Sequence, residues 1–280
     1  MKAIILSNMI LNYKNIVTGC LTLMVFCGNA RDINFRLKKG KGHVKALSAN
    51  CSPASQRAQL AFNNVAARLA NGGTLWNDAT TGSSYAVPKG AVPQTHALYA
   101  GALWMGGEDP VGNLKLAAST FGGNTGSDFW PGPLDIGGTA EISPSECLEW
   151  DKMYVTSKSE VAAHRAHFAV PEGQREGTYS TPSTIVNWPA TGNSSSKDTY
   201  IAPFFDAGED GVYDPEEGDY PGYDLTGNVE CRSDERFVPL FGDTTVYWVF
   251  NDKGNSHASG GSPIGMEIRA QAFAFSSEDE

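Results

Sequence analysis

The sequence predicts a mainly β protein: an antiparallel, sandwich-like architecture with one or two short helices and long loops. Three observations carry this. The C-terminal third holds two segments with strand composition, "TTVYWVFND" (244–252) and "GMEIRAQAFAF" (265–275). In the second, Met266, Ile268, Ala270, Ala272 and Ala274 alternate with Glu267, Arg269, Gln271, Phe273 and Phe275, so one face is small and apolar and the other mixed. Glycine and proline, 31 and 15 in 280 residues, punctuate the chain often enough to keep elements short.

In chain order, "QRAQLAFNNVAARLANGG" (56–73) fits a helix and a strand almost equally and is left open between them. "HALYAGALWMGGEDPVGNLKLAASTF" (96–121) places aromatic and apolar runs on either side of a turn rich in Gly, Asp, Pro and Asn, which predicts a hairpin with arms 98–105 and 114–120. "SKSEVAAHRAHF" (157–168) is the clearest helix, because Ser157 and Glu160 form a capping box and Val161, His164 and Phe168 share a face. A strand directly before "SSEDE" needs a neighbour on its edge, so the chain is expected to be truncated at the C-terminus.

The N-terminus predicts export. Lys2 and Lys14 precede the apolar run "IVTGCLTLMVF" (16–26), and Gly28 and Ala30 suit a cleavage site, so residues 1–30 read as a signal peptide. The run is shorter than the roughly 18 to 20 residues that span a bilayer, and no transmembrane segment is expected in the mature chain. Residues 31–55 form a basic, glycine-rich lead-in, and 56–280 the β-rich extracellular domain. Met1 to Asn50 carries eight Lys/Arg and one acid, which leaves thirteen Lys/Arg and thirty Asp/Glu beyond. So acidic a body repels phosphate backbones, and nucleic-acid binding is excluded as its role. Cys51, Cys147 and Cys231 remain after the leader, enough for one disulfide of undetermined pairing.

The densest chemistry lies in "FFDAGEDGVYDPEEGDYPGYD" (204–224). Calcium takes six to eight oxygens, and an EF-hand loop supplies them from positions 1, 3, 5, 7, 9 and 12 around a glycine at 6. With Asp206 as position 1, Asp210 falls at 5, Gly211 at 6, the Val212 carbonyl at 7, Asp214 at 9 and Glu217 at 12. Gly208 stands at position 3, where a carboxylate is expected, and this omission predicts weak Ca²⁺ affinity, about 10⁻⁴ to 10⁻³ M. Pro203, Pro215 and Pro221 disfavour flanking helices, so the loop is expected in a β context. Eleven acids against one arginine between Asp206 and Glu235 would repel one another without a cation.

Catalytic signatures do not emerge. The chain has no GxSxG elbow, P-loop, HExxH or dinucleotide fingerprint, and the pair His164 and His167 reads as structural. Trp104, Asp128, Phe129, Trp130 and Asp135 form a candidate ligand platform, an aromatic surface with acids for a glycan.

The segments "NNVAARLANGGTLWND", "ALYAGALWMGG", "LKLAASTF", "DFWPGPLD", "CLEWD", "APFFDAGEDGVYDPEEGDYP" and "GSPIGMEIRAQAFAF" occur in an order that resembles the N-terminal region of large uncharacterised secreted proteins of Bacteroidota. Such proteins often end in a type IX secretion sorting domain. The resemblance implies export and attachment to the cell surface, and supplies no activity. The combined expectation is a non-enzymatic secreted or cell-surface protein stapled by calcium, with glycans or other surface proteins as partners. The alternative is a carbohydrate-binding or carbohydrate-active module of a secreted enzyme.

Overall fold

A computed structural model describes residues 50–77, 85–119, 126–192, 195–225 and 236–276. Residues 1–30, expected to be a signal peptide, most of the segment 31–55, Cys231 and the residues after 276 lie outside them. The described residues fall in one unit, Lys45–Glu280. The fold is mainly β, built from several antiparallel sheets and three short α-helices.

The first sheet resolves the ambiguous segment as a strand pair. Strands β1 (Arg57–Leu60) and β2 (Ala66–Ala70) pair antiparallel from Arg57↔Ala70 to Leu60↔Ala67. Asn63, at φ 52°, makes the reversal and accepts the Val65 N–H on its side-chain oxygen. Strands β3 (Thr74–Leu75), β4 (Tyr85–Ala86), β5 (His96–Leu98) and β6 (Gly101–Ala102) complete the order β5-β4-β2-β3-β6.

The expected hairpin is present but shorter at its first arm: β7 (Trp104–Glu108) pairs with β8 (Leu114–Ala118), and Asp109 organises the turn by accepting the Val111 and Asn113 N–H groups. Residues 96–102 join the first sheet instead, because Gly101 pairs with Leu75 and Leu103 N–H reaches the Gly73 carbonyl.

The second sheet holds the two predicted C-terminal strands. A short strand, β9 (Trp130–Pro131), and β10 (Tyr154–Ser157) both pair with β15 (Thr244–Asn251), whose other edge pairs with β16 (Glu267–Ala274) from Thr244↔Ala274 to Asn251↔Glu267. β15 is buried on both faces. Val246, Trp248 and Phe250 meet Leu60, Ala67, Leu69 and Phe129 of the first layer, while Tyr247 and Val249 meet Trp150, Trp188, Ile201 and Phe204 on the other side. The small apolar face of β16, Ile268 to Ala274, packs on the first of these cores as its alternation predicts.

Helix α1 (Pro144–Glu149) is capped by Ser143 and Glu146, and α2 (Lys158–Phe168) by the predicted Ser157 and Glu160 box; α3 (Ser183–Val186) is a single turn. Val161 and His164 are the buried face of α2. His164 Nδ1 lies 3.0 Å from the Tyr179 hydroxyl and His167 stacks on the Tyr179 ring at 4.2 Å, so both histidines serve packing. Cys51 is joined to Cys147, and Cys51 N–H donates to the Gly254 carbonyl, so the chain is tied to the body from Cys51 rather than from residue 56. Among the described residues no helix is long and apolar enough to cross a membrane.

Candidate metal centre

The acidic segment is the loop of a β-hairpin. Strands β11 (Phe204–Phe205) and β12 (Tyr220–Pro221) pair as Phe204↔Pro221 and Phe205↔Tyr220, so residues 206–219 leave and re-enter one two-stranded ribbon. Aromatic packing fixes its base: Phe205 stacks on Tyr220 at 5.0 Å, and Phe204 belongs to the core behind β15. Tyr213 nails the middle of the loop down by donating from its hydroxyl to the Ile185 carbonyl at 2.7 Å.

Within the loop the carboxylates hold the backbone. Asp206 is buried, and its two oxygens accept the Asp210 and Gly211 N–H groups at 3.3 and 2.7 Å. Gly211 has φ +78°, the left-handed turn that position 6 demands. Asp210 accepts the Val212 N–H at 2.8 Å, and Asp214 accepts the Glu216 N–H at 2.9 Å. The Val212 side chain points to solvent, which is compatible with a carbonyl role. A Cβ placed on Gly208 would lie 4.0 Å from Asp206 Oδ1 and 3.9 Å from Glu217 Oε2. Positions 1 and 12 of the loop therefore flank the vacant side-chain place of position 3. The donor set is all oxygen, as calcium requires. Among the described residues no group of three or more His, Cys, Asp or Glu side chains already converges as a metal site.

Three acidic residues of this loop, Glu209, Glu216 and Asp219, escape the EF-hand count, and Asp219 is the buried one. Asp219, 2% exposed, closes the loop by accepting the Ala207 and Asp214 N–H groups at 2.8 and 2.9 Å. Burial pushes its carboxyl above the ordinary range, against those two hydrogen bonds, and the charges of Asp206 and Asp210 push the same way. The count missed Asp219 because it lies beyond position 12; the signal was the Gly-Asp dipeptide placed just before the aromatic Tyr220.

Arg236, also unforeseen, braces the outside. It holds Asp224 through Nε and a terminal nitrogen at 2.8 and 2.7 Å, Glu209 at 2.7 Å and the Asp206 carbonyl at 2.6 Å, above the Phe205 ring. Asp224 lies on β13 (Tyr223–Asp224), which pairs with β14 (Phe237–Val238). No guanidinium or ammonium pairs with Asp210, Asp214, Glu217 or Asp219 among the described ion pairs.

The aromatic platform expected from Trp104, Asp128, Phe129, Trp130 and Asp135 is not assembled as an open face. Phe129 and Trp130 are buried in two different cores, where Phe129 meets Phe250 edge-on. Asp128 is fully buried and accepts the Ala118 N–H and the Ser259 N–H and hydroxyl. Burial raises its carboxyl, but the Ser259 and Ala118 hydrogen bonds and nearby His257 outweigh that and hold it below the ordinary range. Asp135 binds the buried Lys197 ammonium at 2.8 Å, together with Glu146 at 3.3 Å. Trp104 alone stays exposed, with its indole N–H on the Ser119 carbonyl. The Trp-Pro-Gly stretch wedges a loop into the core because large rings gain more from burial than from solvent.

Comparison with family models, with curated proteins and with solved structures gives no match for this chain.

Proposed function

We propose that the chain is a secreted or cell-surface protein that acts through binding, and that its acidic hairpin loop takes one Ca²⁺ as a structural staple. The observation that carries the cation is that Asp206 Oδ1 and Glu217 Oε2 lie 4.0 and 3.9 Å from where a Cβ on Gly208 would stand, with Gly211 in the left-handed turn. Asp206, Asp210, Asp214 and Glu217 would hold the ion by their side chains and Val212 by its carbonyl. Bound calcium supplies a positive charge to Asp210, Asp214 and Glu217, which no described ion pair gives them. Export is supported by the buried Cys51–Cys147 disulfide, since such cross-links persist in oxidising compartments. Its partners are glycans or other surface proteins.

Thermal unfolding with EDTA and with 10 mM CaCl₂, about ten to a hundred times the expected dissociation constant, tests this. Mass action then adds about 1.4–2.7 kcal/mol. The midpoint rises by about 3–10 °C. An unchanged midpoint contradicts the reading.

A further inference from the structure

Beside the acidic loop lies a cleft of about 850 Å³, within the size range of small-molecule sites. Its floor is the outer face of β15 and β16, where Tyr247 and Gln271 are cross-strand partners. Gln271 Oε1 accepts the Tyr223 hydroxyl at 2.9 Å, while its Nε2 has no hydrogen-bond partner. Tyr200 stands at the rim, 53% exposed, with one ring face stacked on Phe204 at 5.5 Å and 15°. That stacking holds the ring and leaves the other face open. Arg236 and Arg269 complete the walls, each already bound to carboxylates of this chain: Asp224 and Glu209 for the first, Asp198 and Glu267 for the second.

The chemistry of the lining selects its ligand. The carboxylates of Asp206, Glu209, Asp210 and Asp224 outnumber the two guanidiniums, so an anion is repelled. An organic cation finds Asp224 and Glu209 already taken by Arg236. A purely apolar molecule would leave the already buried Gln271 Nε2 without a partner. Hydroxyl groups both donate and accept, and they suit a wall that alternates N–H groups with carboxylate oxygens; a pyranose ring adds an apolar face for Tyr200. We infer that this cleft binds a neutral oligosaccharide, with Tyr200 as the stacking surface and Gln271 Nε2 as a donor to a sugar hydroxyl. The site stands on β15, β16 and Tyr200 and does not rest on the cation reading.

Calorimetric titration of the full chain with cellohexaose, maltohexaose, xylohexaose, mannohexaose and chitohexaose, in CaCl₂ and in EDTA, tests the inference, with hexalysine as the cationic arm. Saturable binding of at least one neutral sugar is expected. Tyr200→Ala should weaken it about tenfold. Gln271→Glu keeps the acceptor for Tyr223 and removes the donor, so it should weaken binding by a similar factor even if Tyr200→Ala disturbs the loop. Absence of saturation with every sugar, binding of hexalysine alone, or an affinity in both variants unchanged from that of the native chain would overturn it. Sugar binding that persists in EDTA, with a melting midpoint indifferent to calcium, would sink the cation reading and leave the cleft standing.

Discussion

Single residues explain how this sequence holds two of its buried amide side chains: they donate to backbone carbonyls. Asn71, fully buried, donates to the Trp150 and Lys152 carbonyls, and Asn251 donates to the carbonyls of Trp130 and Gly132. His164 differs, because burial lowers the affinity of its ring for a proton. The unfolded chain takes up that proton near the ordinary value of 6.5, whereas the folded chain does so only at lower pH. Folding stability from this group is therefore complete above that value and is lost as pH falls below it. Chemical denaturation across pH 7 to 5 should show a steeper loss in the native protein than in His164→Gln, and parallel slopes would contradict the assignment. His164 was legible as a buried helix-face residue from its spacing with Val161 and Phe168. Its partner Tyr179 was not, since no local pattern reaches across the intervening loop.

At the scale of elements, local signals read best where local physics decides the outcome. The capping box at Ser157 and the strands β15 and β16 were legible from side-chain chemistry and period, whereas the Ser143 box and the strand register emerge only in the structure. The segment 56–73 became a strand pair only because sheet partners override a short, ambiguous periodicity, and residues 96–102 left the predicted hairpin for the same reason. The acidic loop was legible through Asp206, Asp210, Gly211 and Asp214, whereas Asp219 and Arg236 act through tertiary closeness. Gly208 offers a test of the loop. Its place is flanked by Asp206 and Glu217 oxygens at about van der Waals distance, and its backbone is outside the left-handed region. Gly208→Asp should supply the missing oxygen at position 3 and tighten calcium binding about tenfold, toward the stronger EF-hand range. An affinity unchanged by that substitution would mean the loop does not follow the EF-hand register.

Across the whole molecule, β15 joins the layers: one face closes the core against the first sheet, the other carries the aromatic cluster from which the acidic hairpin springs. The disulfide closes a loop of 96 residues. The chain-entropy account gives such a link about 4–5 kcal/mol. Cys51→Ser with Cys147→Ser should lower unfolding stability by that order, and a loss below about 1 kcal/mol would show the link to be incidental. Calorimetric titration of Ca²⁺ into the chelator-stripped protein reaches the central claim most directly. One site is predicted, with a dissociation constant of about 10⁻⁴ to 10⁻³ M, weakened at least about tenfold in Asp206→Asn. No heat of binding at 10⁻² M calcium, about ten times the weaker limit, or the same affinity in Asp206→Asn, would contradict it.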